Sequence, residues 1–365
     1  MTLAAAERPG VRHLAALARC PRPAGGSGEQ DARAYAAQHL TSLGFTVCEE
    51  GFAYSSFPGR FGTPIAGAAL AVTVATASWF ALIDASPRAA GVALIAGIAL
   101  TAGFARAMFV GVLAFPWLRA KGMNVTATRG KLEPRVWLVA HLDSKSQPIP
   151  SIVRVAGVVL LVAGVLLALS GCAMTLAGYE WRMLWWGALW VALAGAGPAM
   201  ASLVGERSDG AVDNASGVAT VLAAATMVQR DAACGVLLTS AEELGLAGAR
   251  AWVLAHAPAL ALNCDGVDDE GNVVIMFNGR KPTEVVGAVR AVSPATARVR
   301  RMPLGLLTDS SAFSAAGWPS VTVSHGSLAT LRRIHTPHDT LNNLRGSAID
   351  DVAIILARAA EELAQ

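Results

Sequence analysis

Several places in the chain hold residue types that bind metal ions or move protons, most of them at the end of a short apolar run. The run Val136 to Ala140 closes in His141-Leu142-Asp143, and because side chains on an extended chain alternate with period two, His141 and Asp143 fall on one side. An imidazole followed two residues later by a carboxylate suits a metal ligand and an acid beside it, although a strand-end His is more often a plain polar residue. Asp213-Asn214-Ala215-Ser216-Gly217 precedes a helical stretch, where Asp and Asn also serve as N-caps. Glu242-Glu243 follows the run Gly235 to Ser240. Adjacent carboxylates can divide labour, one neutralising a cation while its neighbour takes a proton from bound water; on an ordinary surface the same pair is simply solvated. Asp265 follows the run Ala259 to Cys264 and alone reads as a loop acid. His335-Thr336-Pro337-His338-Asp339 sets an imidazole beside a rigid turn that Asp339 could cap. The set says more than its members, because active sites of open α/β sheets lie where strands end.

The elements that must position these residues alternate in type. The three runs above, with Val273 to Phe277 and Ser320 to Ser324, have the length and composition of buried strands. Ala215 to Arg230, Ala247 to Ala257, Pro282 to Val292 and Ala348 to Leu363 have helical length and spacing, and Pro21 to Gly28 reads as a loop. Such alternation predicts an α/β three-layer sandwich: a mixed, mostly parallel sheet with helices on both faces.

The composition adds a membrane. Of 365 residues 54% are hydrophobic and only 15% charged, and the mean hydropathy of +0.47 is too high for an ordinary soluble enzyme of this length. A membrane helix needs about 20 apolar residues. Four segments qualify: Arg60 to Asp84 with no charge between its ends, Ala89 to Leu118 charged only at Arg106, Val155 to Tyr179, and Met183 to Gly205. Arg106 is expected to face another helix or a wet cavity. Trp117, Trp181, Trp185 and Trp186 sit where an aromatic belt would lie. Buried helices of a large soluble core are the alternative, and the near absence of charge favours lipid. The segments pair as hairpins over 61–118 and 150–206, leaving 1–60, 119–149 and 207–365 for one further domain. Each hairpin crosses twice, so those three parts lie on one side of the bilayer. The hairpin turns carry Asp84 with Arg88 and Glu180 with Arg182, while Arg60, Arg119, Lys121, Lys145, Arg154 and Arg207 flank the opposite ends. That excess of positive charge predicts a bacterial-type inner-membrane protein with its non-membrane domain in the cytoplasm. The first forty residues hold no apolar core of a signal peptide.

Other classes are disfavoured. A net charge of +3, spread without a basic run, leaves no footprint for nucleic acid. The five cysteines are scattered without a CxxC pair, so a metal would be held by His and carboxylate rather than thiolate.

In order, His-x-Asp, Asp-x-x-Ser-Gly, Glu-Glu, Asp and His-Thr-Pro resemble the co-catalytic (di-zinc) aminopeptidases. That family also takes in glutamate carboxypeptidases and, as single-zinc relatives, glutaminyl cyclases. Leu14 to Phe45 looks like its opening helix. The resemblance implies two Zn2+ ions and a peptide substrate. Asp213 would bridge both metals, His141 and Asp265 would complete one site, and Glu243 and His335 the other. Glu242 would be the general base, and Asp143 would orient His141 through its remaining ring N–H. It also implies a cis peptide at Asp213-Asn214, and Asp309 falls in a stretch similar to a pocket-side motif. There are two departures. His141 and Asp213 stand 72 positions apart where relatives have a short connection, which places the second hairpin as an insertion beside the site. Ile334 stands where relatives commonly carry a Tyr that stabilises the tetrahedral intermediate. The expectation is a membrane-anchored metallo-aminopeptidase. The rivals are a non-catalytic membrane receptor or scaffold derived from the family, a single-zinc cyclase-like acyltransferase, and a transporter, for which the four helices hold too little charge.

Overall fold

The computed structural model describes residues 8–179, 181–303 and 305–365; Glu180, assigned above to a hairpin turn, lies outside them. Eight strands form one sheet: β1 Thr46–Ser55, β2 Arg119–Thr128, β3 Val136–His141, β4 Cys234–Thr239, β5 Leu260–Val267, β6 Asn272–Phe277, β7 Arg298–Arg301 and β8 Ser320–Gly326. Their spatial order is β1-β2-β4-β3-β5-β8-β6-β7. The central pairs β4-β3, β3-β5 and β5-β8 are parallel, while β1-β2, β2-β4 and β6-β8 run antiparallel. The expected mixed, mostly parallel sheet is therefore present, and the five strands read from apolar runs are all in it.

Period two sorts the core into two layers. Val136, Leu138 and Ala140 of β3 pack into the larger layer, against α1 Pro9–Leu17, α2 Ser27–Ser42, α7 Gly217–Met227, α9 Thr283–Val292 and α12 Ile349–Leu363. Trp137 and Val139, pointing the other way, join Trp252 of α8 Ala247–Ala255 and Phe313 of α10 Asp309–Ala315. The single opening helix expected from Leu14 to Phe45 is two helices, α1 and α2. Pro21, Pro23 and the Gly25-Gly26 pair between them fix or free backbone angles that a helix cannot use.

Among the described residues, four helices are long and apolar enough to cross a membrane: α3 Phe57–Leu82, α4 Pro87–Val110, α5 Ser151–Leu176 and α6 Arg182–Met200. They turn apolar side chains outward, Val72 (64% exposed), Ile95 (67%) and Trp190 (64%) among them. The first pair leaves from the tip of the β1-β2 ladder, where Ser55 lies opposite Arg119 and the Ser55 hydroxyl donates to the Trp117 carbonyl at 2.5 Å. The second pair leaves through a neck two strands wide: Ser146 N–H donates to Gly205 O at 2.9 Å and Gly205 N–H returns to Ser146 O at 2.7 Å. The chain thus departs and returns at adjacent points, so the sheet tolerates both excursions. Along α5, Gly157, Gly164 and Gly171 recur every seven residues and form the seam with α6; a Cβ on Gly164 would come within 2.8 Å of the Ala192 backbone. Arg106 is exposed on the outside of α4, contrary to the expectation that it faces a helix or cavity. The helix ends at Val110 rather than Leu118, so Arg106 lies one turn from its end, within reach of an interface.

Candidate metal centre

The parallel strands β3, β4 and β5 all point their C-terminal ends at one place, and the chemistry gathers there. His141 is the last residue of β3, Glu242 and Glu243 follow β4, and Asp265 lies near the end of β5. Asp213 arrives from the loop before α7, and His335 from the loop after α11 Thr330–Arg333. All six are in one cluster. Ligand atoms of His141, Glu242 and Asp265 lie within 4.8 Å of one another, as do those of Asp213, Glu243 and His335. Asp213 joins the two groups: its Oδ1 is 3.2 Å from His141 Nε2 and its Oδ2 2.9 Å from His335 Nε2. His335 Nε2 is also 3.1 Å from Glu243 Oε1, and His141 Nε2 lies 3.7 Å from Asp265 Oδ1.

The backbone is shaped to hold these groups. The Asp213-Asn214 peptide is cis, as the resemblance implies. Asp339 accepts hydrogen bonds from the Val212 and Asp213 amides at 2.7 and 3.1 Å, fixing that loop. Gly217 is required by packing: a Cβ there would come 2.1 Å from Asn214 Oδ1 and 2.5 Å from the Cys264 carbonyl. His335 has φ +62, a left-handed conformation costly for a residue with a side chain, and its main-chain carbonyl is held by the Gln147 amide at 2.7 Å. The buried Arg22 donates to the carbonyls of Leu17, Leu142 and Gly210 at 3.0, 2.8 and 3.0 Å, tying the first loop to the ends of β3 and the Asp213 loop.

Asp143 does something other than expected. His141 Nδ1 is bonded to the main-chain carbonyl of Asp143 at 3.0 Å, and the Asp143 carboxylate is 3.6 Å away, too far for a hydrogen bond. Its two oxygens accept instead from the Glu242 and Glu243 amides at 3.0 and 3.1 Å. Asp143 therefore orients the imidazole through its backbone and the Glu-Glu turn through its side chain.

Burial and charge set the protonation. Burial pushes the Glu242 carboxyl well up, and Glu243, Asp265 and Asp309 push the same way against His141. Burial also opposes ionisation of Glu243, but His335 and Lys145 overcome it and hold its carboxyl down to about 2. Lys145 Nζ stands 2.5 Å from Glu243 Oε2. Four carboxylates are buried with two imidazoles, with Lys145 and Arg154 as the cations beside them, a surplus of acidic ligands that a bound divalent cation would offset, and Glu243 Oε1 is enclosed with the His335 imidazole 3.1 Å away but not in hydrogen-bond geometry. This donor set fits zinc, which takes imidazole nitrogen and carboxylate oxygen.

Three residues beside the cluster escaped the sequence reading as site residues, and all belong to the neck and first turn of the second hairpin. They are Lys145, Ser151, whose hydroxyl lies 2.8 Å from His335 Nδ1, and Arg154, whose Nε is enclosed and has no hydrogen-bond partner among the described residues. Lys145 and Arg154 entered the sequence reading only as charges flanking a hydrophobic segment, and Ser151 left no signal there. Asp309 is buried against Thr239 of β4, off the metal ligands.

Strand-end imidazoles and carboxylates on such a sheet define a candidate metal centre of an α/β protein. The sequence profile of Peptidase family M28 matches residues 124–360, and the chain belongs to that family. Among solved structures, an aminopeptidase from Aneurinibacillus sp. strain AM-1 superimposes with a TM-score of 0.57 at 16% identity, covering 98% of this chain and 93% of that one. BSAP, a zinc aminopeptidase from Bacillus subtilis, gives 0.54 at 13% identity over 96% and 93%. The Fimbriiglobus ruber glutaminyl cyclase gives 0.53 at 14% over 98% and 95%. No curated protein matches the sequence. At these identities the structural likenesses speak for the fold.

Proposed function

We propose that the protein is a membrane-anchored zinc aminopeptidase whose catalytic domain is made of residues 1–60, 119–149 and 207–365, carried by hairpins 61–118 and 150–206. The observation that carries this reading is Asp213, which presents one carboxylate oxygen to each of two imidazoles, as a bridge between two cations would. Asp213, His141 and Asp265 would hold one zinc, and Asp213, Glu243 and His335 the other. When bound, zinc supplies Lewis acidity to the scissile carbonyl and to a water.

The remaining steps belong to the protein. Glu242, buried beside His141 and Asp265, would accept the proton of the attacking water at its carboxylate and deliver it to the leaving amine. Asp143 holds the amides of Glu242 and Glu243, so that the base and the ligand keep their separate directions. Ser151 fixes the His335 ring. Ile334 has no hydroxyl to offer the tetrahedral intermediate; Arg154 lines the same cavity as Asp213 and Glu243, and its guanidinium charge would favour the oxygen on which negative charge develops.

The test is Glu242→Gln in the full-length protein, with amino-acyl amides as substrates. Hydrolysis is expected to fall by about 100-fold or more, with two zinc ions per chain retained by metal analysis, and a chelator is expected to abolish wild-type activity. Full hydrolysis in the variant would remove Glu242 from the mechanism. A chain that binds no zinc would be the scaffold rather than the enzyme.

A further inference from the structure

A cavity of about 700 Å3 begins at the metal centre and does not stop at the domain. It continues between the first two hairpin helices and α5, so one continuous space is lined by Asp213 and Glu243 at one end and by Leu70 of α3, Met108 of α4 and Leu161 of α5 at the other. On α3 the lining recurs at Pro58, Gly62, Ala66 and Leu70, one stripe of the helix. At about 1.5 Å per residue that stripe runs for about 18 Å, more than half of a hydrocarbon core about 30 Å thick. Lys145, Arg298, Arg300 and His325 line it from the domain, and the lining from α3, α4 and α5 is apolar apart from Thr63 and Arg154. Leu307 (53% exposed) and Leu328 (70% exposed) line the same cavity from loops of the catalytic domain.

A soluble peptide has no use for such depth. We infer that the cavity is a channel for the apolar portion of the substrate, which enters from the bilayer between α3, α4 and α5 and presents its scissile amide to the metal centre. The substrate class is thus an amphiphilic peptide or amide with a long apolar chain on one flank of the bond. The occupant follows from continuity: whatever fills the channel touches the cluster at its upper end, and only a chain attached to the reacting group benefits from both. This rests on the amide-hydrolase reading above, and the experiment separates the two.

The probe is leucine dodecylamide bearing a diazirine at the end of its alkyl chain, photolysed with the full-length protein in phosphatidylcholine nanodiscs. Labels are expected on the channel wall, at Gly62, Ala66 or Leu161. Labels confined to outward-facing residues such as Val72, Ile95 and Leu166 overturn the inference, whether or not the protein hydrolyses anything. The second arm is Gly62→Phe, at a position where a Cβ meets nothing nearer than the Met108 side chain at 3.8 Å, so the new ring can enter the channel. The ratio of kcat/KM for leucine dodecylamide to that for leucine methylamide is expected to fall at least about tenfold, as the apolar chain loses its burial. An unchanged ratio overturns the channel and leaves the peptidase standing. Failure to cleave either amide, with the channel wall labelled, defeats the peptidase reading alone.

Discussion

Asp309 shows how much chemistry burial can set at one residue. It lies under the strand ends with one oxygen bonded to the Thr239 hydroxyl and the other without a partner. Burial first, then Asp143 and Asp265, push its carboxyl up to about 7, against His141 and Thr239. An unfolded Asp titrates near 4, so between about pH 4 and 7 the folded state holds a proton that the unfolded state has released. Stability contributed by this group is complete below that window, falls as pH rises through it, and is lost above it. A shift of this size corresponds to at most about 4 kcal/mol. Asp309→Asn removes the titration, so its melting temperature should fall less than the wild type's between pH 5 and pH 8. Thermal unfolding of both at the two pH values checks this. Parallel pH slopes would mean that Asp309 is ionised in the folded protein. Any constant cost of the new amide cancels, because the comparison is between slopes.

At the scale of elements, what could be read from sequence followed from what leaves a periodic or compositional trace. The apolar runs that became β3, β4, β5, β6 and β8 were visible because a central strand is buried on both faces. The outer strands β1, β2 and β7 were not. β1 carries Cys48, Glu49 and Glu50 with little burial, and β7 is Arg298-Val299-Arg300-Arg301, the composition of a protected sheet edge rather than of a core strand. The five candidate ligands and Glu242 were legible as an ordered set at strand ends rather than singly, and the family resemblance assigned their roles. Ser151 and Arg154 were not, since their role exists only after the neck at Ser146 and Gly205 folds the hairpin against the site. That makes the α5-α6 seam a condition for the site. Gly164→Leu places a branched side chain where a Cβ already meets Ala192 at 2.8 Å, so α5 must move away from α6. The expected result is a loss of thermal stability of several degrees in nanodiscs together with reduced activity. Gly187→Leu, on the same hairpin where a Cβ meets nothing within 4 Å, should change neither by much. Equal behaviour of the two variants would show that the seam does not support the site.

The whole molecule is governed by parity. Two excursions of two helices each bring the chain back to where it left, and only then can His141, before the second hairpin, face Asp213, after it. If the four helices span a bilayer, the segments 8–56, 119–146 and 205–365 lie on one side and the hairpin turns on the other. Arg60, Arg119, Lys121 and Arg207 flank the domain ends of the helices, against Arg88 and Arg182 at the turns, and this excess of positive charge predicts the domain on the cytoplasmic side. The protein carries its own reporters, because Cys20 and Cys48 are exposed free thiols of that domain. In vesicles from an expressing bacterium, a membrane-impermeant maleimide is expected to label these cysteines when the vesicles are inverted and to leave them unmodified when they are right side out. A cysteine introduced as Ser86→Cys, in the first hairpin turn, should show the opposite pattern. Labelling of Cys20 and Cys48 from outside would reverse the orientation while keeping the parity, and labelling of all three from one side would end the two-hairpin topology itself.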